Sequence, residues 1–225
     1  MTKYYIEHQK ILVSVDCIIF GFDQNKLKIL IGHRAMDPGK GEWSLYGGFV
    51  RNDESINEAA DRTLFELTGM HDVYMRQVGA FGNLDRDPGA RVVSIAYYAL
   101  INVKDYSAKM LKEHGVEWVN IDELPPMFSD HQEMIRKARK LMQSKIKTEP
   151  VGFKLLPKLF TLTQLQRLYE AVNGEEIDKR NFRKRIKEME FIEKTELIDK
   201  LTSKRGAFLY RFNKKAYEED KNFKL

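Results

Sequence analysis

Apolar residues along the first 150 positions change period several times, and each change predicts an element. A largely apolar, β-branched run from Lys10 to Phe22 predicts a strand, and a second runs from Lys28 to Gly32. Asp23, Gln24 and Asn25 between them have the polar character of a hairpin connection. Pro38, Gly39, Gly41, Gly47 and Gly48 punctuate the next stretch of chain. From Glu54 to Thr68 the apolar or small positions 56, 59, 60, 64 and 67 take up a helical period that Gly69 ends. Val92 to Val103 predicts a long strand, Glu117 to Ile121 a shorter one, and Asp130 to Ser144 a charged amphipathic helix. Thr148, Glu149 and Pro150 read as a linker.

The remaining residues have a different rhythm. Thr161 or Thr163 is placed to cap a helix with apolar positions Leu162, Leu165, Leu168, Tyr169 and Val172, closed by Asn173 and Gly174. Asp178 caps a second helix from Lys179 to Met189, whose buried stripe is Phe182 and Ile186. Residues 191–193 and 207–212 predict strands around a polar hairpin at 202–206. Helix, short glycine-containing turn, basic helix and β-hairpin is the order of a winged helix-turn-helix. Two domains are therefore expected, residues 1–148 and 149–225, without internal repeats or low-complexity tracts.

Composition adds a few constraints. With 43% hydrophobic and 11% aromatic residues in 225, each domain can bury its own core. No 18 apolar residues run together, and the stretch from Met1 to His8 carries charge where a secretory leader is apolar. A cytoplasmic protein with no membrane partner is expected. The single cysteine, Cys17, lies in an apolar run, reads as core packing, and makes neither an internal disulfide nor a zinc cluster. Charge is more informative. Residues 151–225 hold 18 Lys and Arg against 12 Asp and Glu, whereas residues 1–150 hold 20 against 21. The positive excess lies wholly in the last third, which points to a polyanion partner for that part alone.

Gly48, Glu54, Arg62, Leu64, Glu66, Gly69 and Met70 fall at the spacing of the Nudix box, and residues 41–48 resemble the family's approach to it. The resemblance implies an α+β chain with a Nudix-fold α/β/α sandwich as its first domain. In that family the box holds a divalent metal against a diphosphate. Carboxylates at i, i+3 and i+4 share a helical face and can jointly ligate a hard cation, which polarises the phosphorus and activates water. Here those positions are Thr63, Glu66 and Leu67, so one carboxylate remains. Glu54 and Glu58 lie one to two turns away, and Arg62 is spaced to pair with Glu58 or Glu66. The expectation is no hydrolysis, no catalytic residue, no cofactor and no bound metal, with Glu66 and Glu54 vestigial.

On the second helix of the last third, Lys179, Arg180, Asn181, Arg183, Lys184 and Lys187 are left exposed by the apolar stripe. Arg and Asn read guanine and adenine edges in a major groove, and lysines suit phosphates. Lys204 and Arg205 sit at the tip of the expected wing, and Thr163 and Gln164 are placed to anchor a phosphate. The degenerate box combined with residues 160–166, 168–171 and 178–184 resembles the Nudix-related transcription regulators over nearly the whole chain. That resemblance implies an effector-sensing Nudix domain, a homodimer, and a winged helix that represses at palindromic double-stranded operators.

Residues 16–22, 41–45, 86–89 and 92–100 look most similar to the branch of that family that responds to L-arabinose. A sugar effector needs convergent polar groups and an aromatic face. Arg34, Glu42, Trp43, Asp85, Arg91 and Asp16 are the candidates near the box. The expected protein is a sugar-controlled repressor of sugar-utilisation genes. An ADP-ribose-responsive regulator of NAD metabolism, or an active Nudix pyrophosphatase, is the alternative. RNA binding is disfavoured because no aromatic platform for stacking bases is apparent.

Overall fold

The computed structural model describes residues 7–105, 108–201, 205–220 and 223. Strands β1 (Leu12–Asp23) and β2 (Lys26–His33) form an antiparallel hairpin. Gln24 and Asn25 turn it with φ of 49° and 61°, the left-handed pair whose twist matches the flanking strands. Two short strands come next, β3 (Trp43–Ser44) and β4 (Tyr46–Phe49), and then helix α1 (Ile56–Thr68). Ser55 and Glu58 close a reciprocal capping box at its start, and Gly69 ends it at φ 66°. Strand β5 (Met75–Phe81) leads into β6 (Val92–Leu100), which runs parallel to β1 from Leu12 to Phe20. Helix α2 (Ala108–His114), strand β7 (Val116–Asn120) and helix α3 (His131–Lys145) complete this layer set.

Alternation along β1 sorts the core onto two faces. Val15, Cys17 and Ile19 pack toward α1 with Ala59, Ala60, Leu64 and Leu67. Ile18 and Phe20 face the other way, toward Met134, Ile135, Ala138 and Met142 of α3. The result is the helix–sheet–helix sandwich expected from the box. Each fully buried aliphatic side chain contributes roughly 1.5–3 kcal/mol by leaving water.

The second unit comprises β8 (Phe160–Thr161), α4 (Leu162–Asn173), α5 (Lys179–Lys187), β9 (Ile192–Asp199), β10 (Ala207–Phe212) and α6 (Lys214–Asp220). The three strands pair in the order β8-β10-β9, giving a winged helix. Thr161 rather than Thr163 caps α4, Gly174 ends it at φ 75°, and Asp178 caps α5 by accepting from the Asn181 N–H. Helix α6 had no counterpart in the sequence pattern. Tyr217 on it packs edge-on against Phe191, with ring centres 5.3 Å apart.

The joint between the units is tighter than a linker. Glu149 pairs with Lys145 at 2.7 Å and Arg76 at 3.3 Å, and residues Pro150–Leu155 form a 3-10 turn that buries Val151 and Leu155. A Cβ on Gly152 would meet Ile146 Cδ1 at 2.8 Å, so the turn presses directly on the end of α3. Helix α4 packs on α3 and β2, and the Gln143 amide donates to the Val172 carbonyl at 2.7 Å. One apolar cluster runs from Ile18 and Phe20 through α3 to Leu165, Leu168 and Phe182. Among the described residues no helix is long and apolar enough to cross a membrane.

Candidate functional site

A cavity of about 500 Å³ opens where β1 changes partner from β4 to β2. Its floor is polar and buried. Asp16 on β1 pairs in register with Gly47 on β4. A Cβ at Gly47 would lie 2.3 Å from Asp16 Oδ1, so only glycine lets the strand pass over that carboxylate. The Ser94 hydroxyl donates to Asp16 Oδ2. Arg86, in the loop after β5, makes a two-pronged contact with Asp130, Nε to Oδ2 at 2.9 Å and Nη2 to Oδ1 at 2.8 Å. Its Nη2 also lies 3.9 Å from Asp16 Oδ2. Burial works against the Arg86 charge, but the Asp130 hydrogen bonds and the surrounding carboxylates outweigh it and raise its pKa.

Helix α3 begins at this floor. Asp130 stands at the N-cap position but makes no capping bond, because Arg86 engages both of its oxygens. His131 is next, 3% exposed. The Leu45 N–H donates to its Nδ1 at 3.1 Å, which leaves the ring proton on Nε2. Burial lowers its pKa despite the pull of Asp16 and Asp130, so the ring stays neutral. Its Nε2 lies 3.7 Å from Asp16 Oδ1.

Of the effector residues expected from sequence, Asp16 and Arg34 line the cavity. Arg34 is half-buried, donating through Nε to the Pro38 carbonyl at 2.7 Å, with its guanidinium 3.9 Å above the Phe128 ring. The other four lie off the lining. Trp43 lies against His33 in a tilted contact, ring centres 3.8 Å apart, and packs against the core. Glu42 is exposed and enters the fold through its backbone carbonyl, which accepts from the Arg34 N–H. Asp85 is exposed on the loop after β5, and Arg91 donates to the carbonyls of Asn83 and Val92. Sequence reasoning missed Arg86, Asp130 and His131. The signal available was a charged loop just before the most apolar strand and a Ser-Asp-His start to a helix.

The box itself is held by Arg62. Its guanidinium donates to Glu54 at 2.9 and 2.7 Å, to Glu66 at 3.3 Å and to the Phe49 carbonyl at 3.1 Å. Arg51 adds a contact to Glu66 at 3.6 Å. Glu58, a possible Arg62 partner in the sequence, instead receives the Ser55 N–H. Thr63 and Leu67 are buried. These residues do not fit a magnesium ion. Two of the three helical ligand positions, Thr63 and Leu67, lack carboxylates.

The basic face lies on α5. Phe182 and Ile186 are buried, and Arg180, Lys184 and Lys187 fall on the opposite, exposed side, with Lys179 and Asn181 exposed at the first turn. Ion pairs of this unit, such as Arg167–Glu170 and Arg211–Glu193, lie off the helix. Arg183 is half-buried against α4, with Nη2 3.5 Å from Thr163 Oγ1, so these two expected contacts adjoin each other. The Gln164 side-chain oxygen accepts from the Thr161 N–H and closes the α4 capping box, while its amide NH2 remains a donor at the start of the helix. Arg205 is exposed in the turn before β10, and Lys204 lies outside the described residues.

A Nudix fold carrying a winged helix with an exposed cationic reading face defines a transcription regulator of the Nudix-related class. The NUDIX domain family matches residues 10–138, and the NrtR DNA-binding winged helix domain matches residues 152–212. The ADPR responsive transcriptional repressor NtrR of Acinetobacter baylyi is 36% identical over 211 residues, 92% of this chain and 84% of its own length. The crystal structure of Shewanella oneidensis NrtR complexed with a 27mer DNA superposes with a TM-score of 0.82 at 28% identity, covering 94% of this chain and 97% of that one. The NUDIX domain of the same protein complexed with ADP ribose is 28% identical, with a TM-score of 0.50 over 63% of this chain and 99% of that one. The chain belongs to the NrtR family of DNA-binding transcriptional repressors with a Nudix effector domain.

These relatives overturn the arabinose assignment. Two of the stretches that suggested it, residues 16–22 and 92–100, are β1 and β6, whose side chains pack the sheet. Apart from Asp16 at the cavity floor and its partner Ser94, such residues report the fold and carry little about the effector.

Proposed function

We propose that this chain is a homodimeric repressor that α5 docks on duplex operators and that ADP-ribose releases through the Nudix cavity. The observation carrying this reading is the cavity floor, where buried polar groups end on the first residues of α3, which packs on the winged helix. Arg34 lines the same cavity and can meet a diphosphate's charge without a metal ion, while Arg86 is engaged by Asp130 at the floor. The relatives named for ADP-ribose support that choice of effector. Thr63 and Leu67, buried at two of the three metal-ligand positions, support a Nudix domain that binds without hydrolysing. On this reading Arg34 and Asp16 belong to the effector site. Arg180, Asn181 and the α5 lysines, with Thr163, Arg183, Lys204 and Arg205, belong to the operator contact. A homodimer presents two such helices to half-sites about one DNA turn apart. Residues 1–148 and 149–225 then serve as sensing and reading units.

The test uses a duplex selected from a random library by the full chain, with binding then read by fluorescence anisotropy. Titrated ADP-ribose is expected to release the duplex, while L-arabinose leaves it bound. A complex indifferent to ADP-ribose defeats the effector reading, and selection of single-stranded ligands over duplex defeats the DNA reading.

A further inference from the structure

Asp16 Oδ1 and His131 Nε2–H face each other across 3.7 Å at the cavity floor, beyond ordinary hydrogen-bond reach. Both residues are more than nine-tenths buried. Their roles are fixed from behind. Ser94 donates to the far oxygen of Asp16, and the Leu45 N–H donates to His131 Nδ1, so Nε2 must be the donor. A carboxylate oxygen and an N–H, both short of partners and this far apart, are bridged by an atom that accepts from one and donates to the other. A hydroxyl does both.

We propose that the Asp16–His131 pair is the subsite that recognises the terminal ribose of ADP-ribose through one of its hydroxyls. This rests on the reading that the cavity takes ADP-ribose. The two ends of that molecule differ in kind: adenine is flat and largely apolar, whereas the terminal ribose is rich in hydroxyls. The floor, with Asp16, His131, Ser44 and Arg86, matches the hydroxyl-rich end. The rim carries Met36 and Phe49, exposed at 67% and 53%, and suits the base. The diphosphate then falls between, within reach of Arg34.

The test is calorimetry on the full chain with two ligands, ADP-ribose and ADP, which share the adenosine diphosphate part and differ in the terminal ribose and in the extra charge of ADP's free β-phosphate. The native chain is expected to bind ADP-ribose about tenfold or more tightly than ADP, in line with groups that are expensive to bury unpaired. His131→Asn keeps an acceptor near the Nδ1 position for the Leu45 N–H and removes the Nε2 donor. It should weaken ADP-ribose about tenfold and leave ADP within about twofold. Duplex binding without nucleotide checks that the variant folds, and Asp16→Asn carries the same comparison should His131→Asn fail that check. Equal loss for both ligands, no loss for either, or a native chain that holds ADP as tightly as ADP-ribose each overturns the subsite. A native chain that binds ADP but not ADP-ribose, or neither, overturns the effector reading and the subsite with it.

Discussion

Helices α1 and α5 are both strongly charged, and they use charge in opposite ways. On α1 the guanidinium of Arg62 is consumed by Glu54, Glu66 and the Phe49 carbonyl, so the helix's charge knits the box loop to the helix. On α5 the exposed cations Lys179, Arg180, Lys184 and Lys187 stand on a face that packs against nothing among the described residues, while Phe182 and Ile186 hold the helix down. The same residue types therefore mean structure in one place and an available surface in the other. What separates the two cases is whether a partner lies within the fold.

The contrast is broken most forcefully from the apolar side. Phe182 is 3% exposed and lies against Tyr169 at 6.2 Å between ring centres. Phe182→Ala should destabilise the chain by ~3–5 kcal/mol and abolish duplex binding with it, read by urea denaturation and anisotropy together. A variant that keeps its stability but loses DNA would show that Phe182 is part of the reading surface. Next in size, Arg180→Ala and Asn181→Ala should each remove ~1–3 kcal/mol of preference for the selected duplex while leaving the melting temperature unchanged. Loss that is uniform across all duplexes would move these residues from base reading to phosphate contact.

Acid pH sharpens the comparison from the α1 side. The Arg62 hydrogen bonds hold the Glu54 carboxyl down to about 2, with the Arg51 N–H assisting. A carboxylate lowered on folding contributes its full stabilisation above the ordinary carboxylate pKa. The contribution fades as pH falls from that value toward about 2. Native chain and Glu54→Gln should therefore differ in stability at neutral pH and converge as pH drops below 4, in denaturant melts run across that range. A constant gap would mean that Glu54 acts through packing alone.

These cases also mark what was legible in the sequence. Elements with a strong period came through to within a few residues: β1, β2, α1, α3, α4 and α5 all fall where their apolar spacing predicts. Strand β5 was missed because Gly79, at φ 152°, bulges the strand and shifts its register, breaking the alternation that announces a strand. The strand expected to reach Val103 stops at Leu100, and the Asn102 side chain takes the Lys104 N–H into a turn. The α5 face was readable because it depends on one helix. The cavity was not, because Asp16, Arg86 and His131 come from a strand, a loop and a helix start far apart in the chain. Their role depends on which charges the fold brings together, and Trp43 and Asp85 looked equally suitable in one dimension.

The smallest effect is the most discriminating. Glu66 is the one helical metal-ligand position still carrying a carboxylate, and its side chain is 45% exposed beside Arg62 and Arg51. If it is only an arm of the Arg62 clasp, Glu66→Ala should cost about 0–1 kcal/mol, as exposed pairs do, because Arg62 keeps its shorter bonds to Glu54. Release of the duplex by ADP-ribose should be unchanged. If instead the box still works as an enzyme, the native chain will convert ADP-ribose to AMP and ribose phosphate in magnesium, and Glu66→Ala will stop it. Chromatography of the nucleotide products separates the two outcomes, because a clasp can lose one arm with little effect whereas a lone metal-ligating carboxylate cannot be lost without losing turnover.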